Sequence, residues 1–161
     1  MDVVVDGGWG IDALLGEETR PHRDLDLAVA REQVTDCYLR GDLERARTAV
    51  AALGFEHDES VEPGLPARLV LRDRSGRQVD FHPLLFDRDG NGWQELGGGR
   101  WGLYPADGLT GDGVVGGRRV RCLTPELHHR FLLGLSWDAD DVRDLRLLGE
   151  RFGLPLPPGL G

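Results

Sequence analysis

The sequence predicts a fold of the α+β class, and three observations carry that prediction. A β-branched run meets a glycine turn and a helical pattern at the start, strand-like runs fill much of the first half, and two capped helical patterns stand near the end. The length of 161 residues suits one domain over 1–161. Apolar residues at 40% and charged ones at 29% can bury a core, which excludes disordered and membrane-spanning compositions.

Val3 to Val5 reads as a short buried strand stopped by Asp6-Gly7-Gly8. Trp9 to Leu15 places Trp9, Ile11, Leu14 and Leu15 at helical positions and ends at Gly16, a glycine stop. Arg23 to Val29 alternates, so Leu25, Leu27 and Val29 face a core while Asp24 and Asp26 share the opposite face. Residues 31–41 read as an irregular or weakly helical lead-in. Asp42 is the expected N-cap of a helix carrying Leu43, Ala46, Val50 and Leu53 and closed by Gly54.

Arg68 to Arg72 and Arg77 to His82 are strand-like arms joined by Asp73-Arg74-Ser75-Gly76, a hairpin pattern. From Phe86 to Gly117 glycine, aspartate and tryptophan break every period, so loops with one or two edge strands are expected. Thr124-Pro125-Glu126 opens a helix with Thr as N-cap and Pro at the first position, leading to Leu127, Phe131 and Leu135. A second helix starts near Asp138 with the stripe Val142, Leu145, Leu148 and Phe152, and Asp138 with Asp141 forms an acidic variant of a capping box. The proline-containing tail after Gly153 reads as extended.

A formal charge of −9 argues against broad nucleic-acid binding and favours cationic small molecules in a cleft. Every basic residue is Arg, which removes a lysine Schiff base, a lysine nucleophile and a P-loop. Cys37 and Cys122 lack metal-ligand or CxxC spacing and read as reduced thiols of a cytoplasmic protein. The start has no basic n-region or long apolar segment, and no later stretch reaches the roughly 20 apolar residues of a span, so no membrane association is expected.

Three pieces could carry chemistry. Gly7-Gly8-Trp9-Gly10, at a strand-to-helix turn, is either a plain tight turn or a phosphate cradle of close backbone and free helix amides. Asp24 and Asp26 are either solvated carboxylates or paired oxygen ligands for a divalent cation. Asp80, in Gln78-Val79-Asp80-Phe81-His82, is either a lone strand aspartate or a third carboxylate for the same cluster.

Taken together, the run Asp6 to Gly16, then Thr19 to Leu27 with Arg23-Asp24-Leu25-Asp26, then Val79-Asp80-Phe81-His82-Pro83, resembles the small antibiotic nucleotidyltransferases. The likeness is to the single-domain lincosamide enzymes first and the aminoglycoside enzymes next. It extends to Cys122 through Glu126 and to Asp141 and Asp144.

The resemblance implies a polymerase-β-like nucleotidyltransferase fold, a mixed sheet flanked by helices with further helices at the C-terminus. It implies that Asp24 and Asp26 bind Mg²⁺, as two ions, and that Asp80 joins the metal site or serves as base. Gly7, Gly8 and Trp9 would hold the nucleotide phosphates, with Arg20 as a charged partner or a simple ion-pair residue. His22 would touch phosphate or pack locally. The implied reaction moves a nucleoside monophosphate from an NTP, commonly ATP, to a hydroxyl of a small antibiotic acceptor and releases pyrophosphate. A non-catalytic, antitoxin-like member of the superfamily is the alternative, and transfer to a protein or RNA end is a third.

The chain departs from the family pattern in three places. It opens on the first strand without the family's preceding helix, which would expose apolar surface and favour a homodimer. Residues 31–41 are longer than the family's link, and Leu132 and Leu135 replace a His and a Tyr. His128 and His129 are expected as a partly exposed structural pair, and Trp93, Trp101, Tyr104 and Trp137 as packing residues. Gly97-Gly98-Gly99 beside Trp101 reads as a mobile cover over the acceptor.

Overall fold

The computed structural model describes residues 2–31, 33–35, 38–40, 42–61, 67–134 and 136–160. Cys37 and Leu135, each singled out above, lie outside the described residues. Strands β1 (Val3–Val5), β2 (Asp24–Ala30), β5 (Glu56–His57), β6 (Leu69–Arg72), β7 (Gln78–Phe86), β10 (Gly111–Val115) and β11 (Arg118–Cys122) form one mixed sheet in the order β10-β11-β1-β2-β7-β6-β5. Strand β8 (Gly92–Gly97) branches from β7 and pairs with β9 (Arg100–Tyr104), while β3 (Gln33–Thr35) and β4 (Tyr38–Arg40) make a separate ribbon.

Alternation along β2 and β7 builds two apolar layers. Leu27, Val29, Val79 and Phe81 pack on Leu69, Leu71 and the inner face of α2 (Leu43–Ala51). Phe81 is fully buried, a transfer contribution on the order of 2–3 kcal/mol. The other face packs Val4, Ala28 and Leu84 against Tyr104, Leu109, Leu123 and Leu127, the last from α3 (Pro125–Leu133). On this second face β2 and β7 are polar at one end, where Asp24, Asp26, Asp80 and His82 stand, and apolar at the other. That polar end is the floor of the site.

Helix α1 (Gly7–Leu15) begins as the chain leaves β1, because the Asp6 carboxylate accepts the Gly7 amide at 2.7 Å; it ends at Gly16, whose φ of 80° suits glycine. Thr124 and Pro125 cap α3 as expected. Helix α4 (Ala139–Phe152) starts with a reciprocal box: Asp138 accepts the amides of Asp140 and Asp141 at 2.8 and 3.0 Å, and Asp141 accepts that of Asp138 at 3.0 Å. No helix among the described residues is long and apolar enough to cross a membrane.

Several expectations are corrected. Within residues 31–41 the described residues 33–35 and 38–40 form the β3–β4 ribbon rather than an irregular or weakly helical lead-in. The Phe86 to Gly117 stretch contains β8, β9 and β10, because hydrogen-bonded pairing across the ladders replaces the side-chain periodicity that its glycines erase. Asp42 precedes α2 but makes no cap bond through its side chain, which instead accepts from the Asp2 amide and Arg45. His128 and His129 are buried, since α3 turns both toward packed neighbours. Trp93, Trp101 and Trp137 are exposed, and only Tyr104 of the four aromatics is core.

Candidate active site

Parallel pairing of β2 with β7 sets Asp26 directly opposite Asp80 and Asp24 opposite Gln78. One carboxylate oxygen from each of Asp24, Asp26 and Asp80 then falls within 4.8 Å of the others. Asp80 is buried, with Gln78 Nε2 donating to its Oδ1 at 2.8 Å and Arg68 paired with its Oδ2. Burial pushes the Asp24 carboxyl above its ordinary value, and the negative charges of Asp26 and Asp80 push it further. A cation would relieve that repulsion, and an all-carboxylate donor set is the kind a hard divalent ion such as Mg²⁺ takes.

The glycine turn presses against this cluster. Gly7 has a φ of 58°, and a Cβ there would lie 2.2 Å from Asp26 Oδ2. At Gly8 a Cβ would meet His22 Nδ1 at 2.5 Å and an Arg20 guanidinium nitrogen at 2.6 Å. The turn is thus closed around the Asp26 carboxylate on one side and a basic pair on the other.

That basic pair is held from behind. Asp12, buried in α1, accepts from Thr19 Oγ1 at 2.6 Å and lies 2.5 Å from His22 Nε2. Arg20 donates to His22 Nδ1 at 3.0 Å; a guanidinium only donates, so Nδ1 accepts and Nε2–H serves Asp12. Arg20 also donates to Asp144 of α4 at 2.8 Å. Burial raises the Asp144 carboxyl above its ordinary value, partly offset by Arg20.

Behind Asp26 lies a second polar layer. His82 places Nε2 3.4 Å from Asp26 and Nδ1 3.3 Å from the buried Asp6. Burial alone would lower this imidazole, but Asp26 and Asp6 hold it up at about 10. Burial likewise pushes the Asp6 carboxyl up, yet His82, His128 and the Gly7 amide together leave it below the usual range. The Tyr104 hydroxyl lies 3.1 Å from both Asp6 and Gln94. Burial pushes the His128 imidazole down, against the pull of Asp6 and Asp26.

A cleft of about 320 Å³ opens between these groups. Gly7, Gly8, Arg20, Asp24 and Asp26 line it together with Leu132 of α3 and Asp138, Asp140, Asp141 and Asp144 at the start of α4. Asp80, beside Asp26 on the neighbouring strand, is buried and is not among the residues that line the cleft. Trp9 is not among the lining residues; it turns away, its ring centroid 4.6 Å from that of His22. Gly97 to Gly99 and Trp101 do not line the cleft either, since they belong to the β8–β9 turn and β9. Sequence reasoning missed Arg68, Gln78, Asp6 and Tyr104. Of these only the Gln78-x-Asp80-x-His82 alternation, one face of a strand, could have signalled a contact in advance.

A mixed sheet with flanking helices, a close-packed glycine turn and a gathered carboxylate triad fit the nucleotidyltransferase class. Residues 1–148 match the model of the aminoglycoside-2''-adenylyltransferase family, and the chain belongs to that family. A lincosamide resistance protein of Staphylococcus haemolyticus is 23% identical over 89% of this chain and 81% of its own length. A 2''-aminoglycoside nucleotidyltransferase of Klebsiella pneumoniae is 31% identical over 86% of this chain, which spans 65% of that relative. Among solved structures, the lincosamide adenylyltransferase LnuA bound to lincomycin superimposes with a TM-score of 0.70 at 23% identity, covering 91% of this chain and 85% of that one. ANT(2'')-Ia in complex with adenylyl-2''-tobramycin gives 0.60 at 23% identity, covering 94% and 79%. At such identities these likenesses establish the fold, and the family match establishes an enzyme of the nucleotidyltransferase kind.

Proposed function

We propose that this chain, acting as one domain, transfers a nucleoside monophosphate from ATP to a hydroxyl of a small cationic antibiotic of the lincosamide or aminoglycoside class, releasing pyrophosphate. The observation that carries the reading is the convergence of Asp24, Asp26 and Asp80 beside the Gly7-Gly8 turn. Those three carboxylates would hold Mg²⁺, which when bound supplies charge neutralisation at the triphosphate and acidifies the acceptor hydroxyl.

The chain's own groups do the rest. The amides at the start of α1 and the Arg20 guanidinium receive the β and γ phosphates and orient the α phosphorus toward the acceptor side. The acceptor oxygen bonds to that phosphorus as the bond to the bridging oxygen breaks, and the electron pair leaves with pyrophosphate. The hydroxyl proton passes to a carboxylate oxygen of the triad. Asp138, Asp140 and Asp141, which line the same cleft and are partly offset by Arg20 and Arg23, supply a negative field for an ammonium-bearing acceptor, in keeping with the charge of −9.

The test is incubation with Mg²⁺, ATP and a panel of lincosamides and aminoglycosides, read by mass spectrometry. A nucleotide adduct on at least one acceptor is expected, with Asp26→Asn lowering turnover by about a thousandfold or more, the scale on which lost electrostatic stabilisation acts. Undiminished turnover in that variant would remove the mechanism, and ATP binding with no transfer across the panel would favour a non-catalytic member.

A further inference from the structure

The layer behind the triad shows how Asp26 is held. Asp26 is gripped on one side by the Gly7 turn, where no Cβ can fit. On the other side stands His82, two residues beyond Asp80 on the same strand face and paired in register with Ala28. Its ring spans two carboxylates, Nε2 at 3.4 Å from Asp26 Oδ1 and Nδ1 at 3.3 Å from Asp6 Oδ2. Asp6 in turn caps α1 through the Gly7 amide and takes the Tyr104 hydroxyl. One imidazole thus links a metal-side carboxylate to the residue that fixes the start of the phosphate-binding turn.

We infer that His82 is a positioning residue: it fixes the Asp26 carboxylate in its cation-binding orientation and, through Asp6, couples that orientation to the Gly7-Gly8 turn. The inference rests on the metal reading above. Ligand carboxylates and imidazoles held by a second layer of hydrogen bonds typically lose about 10- to 100-fold in metal affinity when that layer is removed. With its ring gone, Asp26 loses the partner opposite the Gly7 turn and gains rotational freedom, and Asp6 stays buried with one partner fewer.

The experiment is Mn²⁺ titration of the purified chain without nucleotide, followed by electron paramagnetic resonance, with thermal unfolding by circular dichroism to verify that each variant is folded. His82→Ala should weaken Mn²⁺ binding about tenfold or more. His82→Gln keeps a donor near the Nε2 position and should retain more affinity than His82→Asn, whose amide reaches only the Nδ1 position. Asp6→Asn combined with His82→Ala should lose no more than the larger single change, because both act through one link. Unchanged or tighter binding in His82→Ala, or a His82→Asn variant that binds as well as His82→Gln, overturns the inference while leaving the metal reading intact. A wild-type chain that binds no Mn²⁺ overturns both.

Discussion

Gly7 shows how much one position without a side chain can decide. Its φ of 58° costs an L-residue about 1–2 kcal/mol, and its missing Cβ is the space that Asp26 Oδ2 fills. Gly7→Ala should therefore lower unfolding free energy by at least roughly 1–2 kcal/mol in denaturant titration, the overlap with Asp26 adding to the backbone cost. Nucleotide transfer should fall far more, about 100-fold, because a displacement of about 1 Å at a reacting group is that costly. An equal, small effect on both would show that the turn and the carboxylate are independent. The types and spacings of Asp24, Asp26, Asp80, Gly7 and Gly8 were legible in the chain. Arg68 on Asp80 and Asp6 on His82 were not, since those pairs join residues 12 and 76 positions apart and only the register of β7 brings them together.

Among elements, the legible ones carry their own local chemistry. The start of α4 was readable because Asp138 and Asp141 close a box within four residues, and that of α3 because Thr124 and Pro125 sit at the cap and first turn. Asp138→Ala should cost about 1 kcal/mol in chemical denaturation, the usual worth of an N-cap, and a loss below about 0.3 kcal/mol would show that α4 is held by packing alone. Strands β8, β9 and β10 were hidden because Gly92, Gly97, Gly102, Gly111 and Gly113 interrupt alternation, so their identity lies in backbone pairing with distant neighbours. The parallel register of β2 on β7, which opposes Asp26 to Asp80, was equally unreadable: it is fixed by which face of each strand the two apolar layers bury.

At the scale of the molecule, charge and topology act together. Acidic residues of α4 and the strand carboxylates Asp24 and Asp26 line one cleft, and the formal charge is −9. The KM for an ammonium-bearing acceptor should rise several-fold as ionic strength goes from about 0.05 to 0.5 M, while that of an uncharged analogue stays nearly constant, because screening shortens from about 13 to 4 Å. Equal salt dependence for both would remove the electrostatic reading of the acceptor wall. The mixed sheet makes this geometry available by bringing the Asp24–Asp26 pair and the distant Asp80 to one end of two central strands, with the first helix starting beside them. The most direct measurement is anomalous diffraction from crystals grown with Mn²⁺ and a non-hydrolysable ATP analogue. An ion about 2.1 Å from oxygens of Asp24 and Asp26, within reach of Asp80, with triphosphate oxygens on the start of the first helix, is the expected result. Metal and nucleotide bound together elsewhere, with the three carboxylates free of both, would contradict it.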